Sequence, residues 1–206
     1  MIAPNLSRDY PLISDQIDRS ELGVLLRELE RLLERGVRGA VVEFGCYVGT
    51  TSLFIRRMLD AYQAEVPFHV YDSFEGLPVK SRLDESVAGD QFVAGALTAS
   101  RKQLSQNFKR ANIRPPIIHK GWFDELTAQD VPDGIMFAFL DGDYFQSIHD
   151  SLRLIAPKLL PGAVIIVDDY ASEALPGAAR AVDDWIASSH KGFLRVESSL
   201  ALIRLP

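Results

Sequence analysis

Two apolar runs in this chain end in carboxylates: Leu140-Asp141-Gly142-Asp143 and Val167-Asp168-Asp169-Tyr170. An apolar run closed by an acid is what a buried strand looks like where it surfaces, and neighbouring strands lie about 4.8 Å apart. Asp141, Asp168 and Asp169 can therefore converge within a few ångströms. Unpaired carboxylates that close raise one another's pKa, and a hard divalent cation relieves the repulsion. All-oxygen ligation suits Mg²⁺ or Ca²⁺, and the lack of His or Cys at these points argues against zinc. One such Asp alone is ordinarily a solvated loop start or helix cap; the three together point to a metal.

A second constellation is Glu43-Phe44-Gly45-Cys46-Tyr47-Val48-Gly49-Thr50-Thr51-Ser52. Its glycines let backbone approach a ligand, and a helix starting near Thr50 offers unpaired N–H groups to an anionic group. The spacing is G-x-x-x-G, not the G-x-G-x-x-G of a dinucleotide pyrophosphate site. Glu43 would repel phosphate while accepting bonds from an ammonium group, so an amino-acid-bearing nucleotide fits better than NAD. A glycine pair can also simply turn the chain. In Tyr71-Asp72-Ser73-Phe74, Asp72 closes another run and can accept both hydroxyls of a ribose, or cap a turn. In His119-Lys120-Gly121-Trp122-Phe123 the aromatic pair can flank a purine or pack in the core. His119 and His149 are placed to accept a proton, whereas His69 and His190 read as structural and Cys46 as packing.

These residues need elements to hold them at one rim. Ser20 to Gly36 reads as an amphipathic helix, preceded by an arm or lid over residues 1–18. Strands are expected at Ala40–Phe44, Pro67–Tyr71, Pro116–His119, Ile135–Leu140 and Ala163–Val167. Helices alternate with them at Thr50–Gln63, Ser100–Arg110, Gln146–Leu159 and Ala178–Ser188. Such alternation, with strands too apolar for a wet face, implies an α/β fold with a doubly wound parallel sheet. Phe193–Val196 and Leu200–Leu205 add an antiparallel hairpin at one edge.

With 206 residues, 47% hydrophobic and 24% charged, the chain reads as one domain with a sizeable core. No apolar stretch approaches the roughly 20 residues of a membrane span. A formal charge of −6 without a basic cluster disfavours nucleic acid. A single cysteine and no leader segment lead to the expectation of a reducing, cytoplasmic location. The oligomeric state, including a homo-oligomer, stays open.

Taken in order, Glu43-Phe44-Gly45-x-x-x-Gly49-Thr-Thr-Ser52, Tyr71-Asp72-Ser73-Phe74-Glu75-Gly76-Leu77-Pro78, Lys120-Gly121-Trp122-Phe123, Leu140-Asp141-Gly142-Asp143 and Val167-Asp168-Asp169-Tyr170 resemble the macrocin O-methyltransferase family. The resemblance spans about residues 38–186. It implies a class I methyltransferase fold and transfer of a methyl group from S-adenosylmethionine to a hydroxyl of a small molecule, with Mg²⁺. It implies that Glu43, Gly45 and Gly49 line the methionine part of the cofactor, that Asp72 takes the ribose and that Gly121 and Trp122 lie near adenine. Asp141, Asp168 and Asp169 become the metal ligands, and Asp141, Asp143 or His119 the proton acceptor, Asp141 being favoured. Catechol-type methyltransferases carry a lysine three residues after the first Asp; here that position is Tyr144. The alternatives are an NAD-dependent oxidoreductase, disfavoured by the glycine spacing, Glu43 and the hairpin, and a non-catalytic cofactor-binding module.

Overall fold

The computed structural model describes residues 1–189 and 192–206; His190 lies outside them. Two helices lead the chain: α1 (Ala3–Asp9) and α2 (Arg19–Glu34). Asp18 caps α2, accepting from the N–H groups of Ser20 and Glu21 while Glu21 reaches back to the Asp18 N–H, a reciprocal box that fixes where the helix starts. Then follow β1 (Ala40–Phe44), α3 (Thr50–Ala61), β2 (Phe68–Asp72), α4 (Arg101–Ala111), β3 (Ile117–Lys120), β4 (Ile135–Leu140), α5 (Phe145–Ile155), β5 (Leu159–Val167), α6 (Pro176–Ser189), β6 (Phe193–Glu197) and β7 (Leu200–Arg204).

The seven strands form one sheet in the order β3-β2-β1-β4-β5-β7-β6. The first five are parallel; β7 runs antiparallel to β5 and pairs with β6 as the expected hairpin. Strands β1 and β4 are buried along their whole length, because helices cover both faces. Alternate residues of these strands belong to two cores. Val41, Phe137 and Phe139 pack with Leu25, Leu29 and Phe54, whereas Val42, Phe44, Ala138 and Leu140 pack with Ile148, Leu152 and Ala181. The strand order reverses direction between β1 and β4, so the carboxyl ends of those strands open a crevice.

The N-terminal segment is more ordered than the arm expected of it. Its aperiodic sequence hides α1, whose Ala3 and Leu6 are buried against the same core as α2. Among the described residues no helix is long and apolar enough to cross a membrane.

Candidate active site

A cleft of about 640 Å³ opens at the crevice, with Gly45, Asp72, Trp122, Asp141 and Asp169 among its walls. The glycine loop forms one side. Gly45 adopts φ +85°, and a Cβ there would sit 1.8 Å from the Asp141 carbonyl oxygen, so the close approach of β1 and β4 admits only glycine. Behind the loop, Glu43 is fully buried and accepts from Ser52 Oγ at 2.5 Å through Oε2, while Oε1 has no hydrogen-bond partner. Burial pushes its carboxyl up to about 8, opposed by the Ser52 bond and helped by the charge of Asp72. Burial likewise raises the Cys46 thiol, which makes it a poor nucleophile.

Asp72 ends β2 and is held by backbone alone. Oδ2 accepts from the N–H groups of Cys46 and Tyr47 at 2.9 and 3.1 Å, and Oδ1 from that of Phe74 at 2.7 Å. A carboxylate offers about four acceptor positions, so one remains on Oδ1, facing one further donor rather than two. Trp122 and Phe123 line the cleft, and Phe123 meets Phe44 edge-on at 5.3 Å.

The opposite side is acidic. Backbone bonds from Asp141 N to Phe44 O and from Asp168 N to Leu140 O extend the parallel ladder one residue past the strands and carry the acids to the rim. Carboxylate oxygens of Asp141, Asp143 and Asp169 all lie within 4.8 Å of one another. Asp168 is buried beside them and is not among the residues lining the cleft; its Oδ1 accepts from Asp169 N at 2.9 Å. Asp143 thus joins Asp141 and Asp169 in that set, while Asp168 is the neighbouring carboxylate whose charge bears most on Asp141. Asp143 and Asp169 both adopt left-handed backbone, φ +60° and +58°, which swings their carboxylates inward. Burial first, then the neighbouring carboxylates, push Asp141 and Asp168 well above the usual carboxylate range, Asp143 to about 8 and Asp169 to about 6.

Of the other expected residues, Gly49, Thr50, Thr51, Ser52, Phe74 and Gly121 are not among those that line the cleft. Thr50, Thr51 and Ser52 are buried at the start of α3. His119 is drawn away: its Nε2 lies 2.9 Å from His69 Nδ1 and its ring stacks on Tyr71 at 4.4 Å. His149 is half-exposed on α5 and stacks on Phe145. Sequence reasoning missed the contributions of Asp15 and Gln16 from the N-terminal segment, Asp84 and Phe92 from the loop after β2, and Gln146 and Asp150 from α5. Only Ser81-x-x-Asp84, a capping pattern, offered a local signal. Tyr144, at the lysine position of catechol-type enzymes, is buried and donates to Phe92 O at 2.9 Å.

A glycine loop at the β1 rim, a backbone-held acid at β2, an acid cluster at β4 and β5, and a seven-stranded sheet ending in an antiparallel hairpin define a class I O-methyltransferase. The chain superposes on the structure of the O-methyltransferase NovP with a TM-score of 0.82 at 24% identity, over 98% of this chain and 86% of that one. An O-methyltransferase from Bacillus cereus, solved with S-adenosylhomocysteine, aligns at 0.60 and 15%, over 99% and 89%. The profile of the family described as macrocin-O-methyltransferase (TylF) matches residues 5–192, and the chain belongs to that family. It is 32% identical over 177 residues to 8-demethyl-8-(2,3-dimethoxy-alpha-L-rhamnosyl)-tetracenomycin-C 4'-O-methyltransferase of Streptomyces olivaceus, spanning 82% of this chain and 67% of that protein. It is 29% identical over 175 residues to mycinamicin III 3''-O-methyltransferase of Micromonospora griseorubida, spanning 81% and 69%.

Proposed function

We propose that this protein transfers a methyl group from S-adenosylmethionine to a hydroxyl of a glycosylated small molecule, with a divalent cation held by Asp141, Asp169 and a third carboxylate, Asp143 or Asp168. The single observation that carries this reading is the convergence of three carboxylates, oxygens within 4.8 Å, beside the glycine loop. Bound there, the cofactor supplies an electrophilic methyl group and a hard cation such as Mg²⁺ lowers the pKa of a hydroxyl set next to it.

The chain's own residues do the rest. Gly45, Cys46 and Tyr47 present backbone to the methionine part, the remaining acceptor position of Asp72 takes a ribose hydroxyl, and Trp122 flanks the adenine. Asp141, at the centre of the rim, accepts the proton released by the acceptor hydroxyl. His119, occupied with His69 and Tyr71, is set aside as the base. Holding the hydroxyl in contact with the methyl group supplies much of the barrier reduction.

The wall also bears on the acceptor. Among the described residues, carboxylates line the cleft from both sides and no Lys, Arg or His does. A phosphorylated acceptor would find no cationic side chain to pair with there, which favours a glycoside hydroxyl without phosphate. The relative named for a rhamnosyl tetracenomycin fits that description in its name.

The test is methyl transfer to rhamnosyl tetracenomycin and mycinamicin-type acceptors by chelator-stripped protein, with and without Mg²⁺, read by product mass. Product that requires the added cation supports the reading; full turnover in excess chelator refutes the metal. Fluorescence titration adds a check on the cofactor: quenching by S-adenosylhomocysteine but not by NADH is expected, and the reverse would move the protein to the oxidoreductases.

A further inference from the structure

The glycine loop between β1 and α3 follows a course that its surroundings must enforce. Gly45 and Gly49 adopt φ +85° and +90°, and Tyr47 between them adopts +48° without being glycine. Left-handed backbone at such a residue persists only where neighbouring structure holds it. For the first half of the loop the restraint is the Asp72 carboxylate, which accepts from the N–H groups of Cys46 and Tyr47. The second half, where the chain turns into α3, needs another. Gly49 is the N-cap of that helix and has no side chain with which to cap it.

That restraint comes from α4. Val48 is buried, and among the described residues its carbonyl oxygen takes no backbone N–H. It accepts instead from Asn107 Nδ2 at 2.9 Å, across 59 positions of sequence. A buried carbonyl without a donor is costly, so this bond fixes which way the peptide between Val48 and Gly49 faces. Leu104, one turn back on α4, closes the same space: a Cβ on Gly49 would lie 2.3 Å from its Cδ1 and 3.8 Å from Phe108 Cε2. Leu104 and Phe108 are both buried in the core, so α4 is a fixed support. Asparagine is a poor choice for a helix interior, because its amide competes with the backbone. Its bond to the loop accounts for its place beside Phe108.

We propose that Asn107 is a positioning residue for the cofactor: by holding the Val48 carbonyl it keeps the glycine loop on the course that presents Gly45, Cys46 and Tyr47 to the methionine part of S-adenosylmethionine. Those three residues line the cleft and Asn107 does not, so it acts through the far end of the loop. Without the bond the loop populates other courses, and apparent affinity falls with the fraction that stays competent. The inference rests on the cofactor reading above and adds to it a residue that sets cofactor affinity from outside the cleft.

The measurement is S-adenosylhomocysteine binding by calorimetry, read as both dissociation constant and stoichiometry. Asn107→Leu removes the donor at similar volume and raises helix propensity, so weaker binding cannot come from a weaker α4. It binds S-adenosylhomocysteine about tenfold more weakly than wild type at unchanged stoichiometry, as when about one loop in ten stays competent. Asn107→Asp sets a carboxylate oxygen against the Val48 carbonyl and loses at least as much. Ser105→Ala, which removes an exposed hydroxyl bonded to Arg101 O within α4, binds like wild type. If Asn107→Leu fails to fold, Asn107→Asp decides. Wild-type affinity in a folded Asn107 variant overturns the proposal and leaves the cofactor reading standing. Reduced stoichiometry at an unchanged dissociation constant makes Asn107 merely structural and overturns it too. So does a loss in Ser105→Ala as large as that in Asn107→Leu. Absence of S-adenosylhomocysteine binding by wild type overturns both readings together.

Discussion

Asp72 and Asp141 each close a parallel strand at the same rim of one sheet, yet the fold treats them in opposite ways. Asp72 accepts three backbone N–H bonds from the glycine loop and from its own turn. Asp141 receives no hydrogen bond to its carboxylate from the described residues and faces Asp143 and Asp169 instead. The first side of the cleft is finished: its charge is compensated and its shape is set by backbone, as a surface that binds one ligand in one pose requires. The second side is unfinished, with crowded acids whose protonated forms the fold favours, and under the proposed function a cation would complete it. On the proposed function, binding and chemistry fall to different strands of a shared rim.

The largest contrast should come from breaking the second side. Asp141→Ala is expected to lower methyl transfer by about a hundredfold or more, since metal polarisation is worth several kcal/mol, while S-adenosylhomocysteine titration remains near wild type. Normal turnover in this variant would remove the distinction between the two sides. Gly45→Ala strikes the seam between them, where a Cβ collides with Asp141 backbone at φ +85°. Urea unfolding should register a loss of about 3 kcal/mol or more, from strain and displaced backbone. Wild-type stability would mean that the strands part freely there.

Asp72→Ala attacks the first side alone. Loss of charge-assisted bonds worth about 1.5–3 kcal/mol should weaken S-adenosylhomocysteine roughly ten- to a hundredfold by calorimetry, with Mn²⁺ affinity preserved. A drop in both would couple sides that the account separates. The smallest effect concerns pH. Asp143 at about 8 and Asp169 at about 6 stay protonated in the metal-free fold at pH values where the unfolded chain has already ionised. The folded state then holds more protons, so stability is fully present below about pH 4 for these groups and is lost as pH rises through 6 and 8. Metal-free protein should melt a few degrees lower at pH 8 than at pH 5.5, and Mg²⁺ should close most of that gap. A melting temperature that rises with pH would contradict the assigned shifts.

How much of this was legible in the sequence follows from the range over which each feature is specified. Strands 40–44 and 135–140 run over the residues expected, because burial on both faces leaves an apolar run with sharp ends. The hairpin was equally plain. The strand expected at 163 begins instead at Leu159, since pairing with Ile135 continues past a register shift that no local pattern marks. At the site, strand ends delivered Glu43, Asp72, Asp141 and the acidic pair. Direction was not legible. Asp143 turns inward and Asp168 turns back on its neighbour through two left-handed residues that are not glycine. Asp84 meets Phe145, and His119 meets His69, through tertiary contacts over 61 and 50 positions, which sequence spacing does not encode.

Anomalous diffraction from crystals soaked in Mn²⁺ and S-adenosylhomocysteine tests the central claim most directly. The account predicts one strong peak at the cleft floor, about 2.0–2.3 Å from oxygens of Asp141 and Asp169, with a third carboxylate completing the set and the cofactor's sulfur beside it. A peak elsewhere, or none at saturating Mn²⁺ in an enzyme that still turns over, would contradict it.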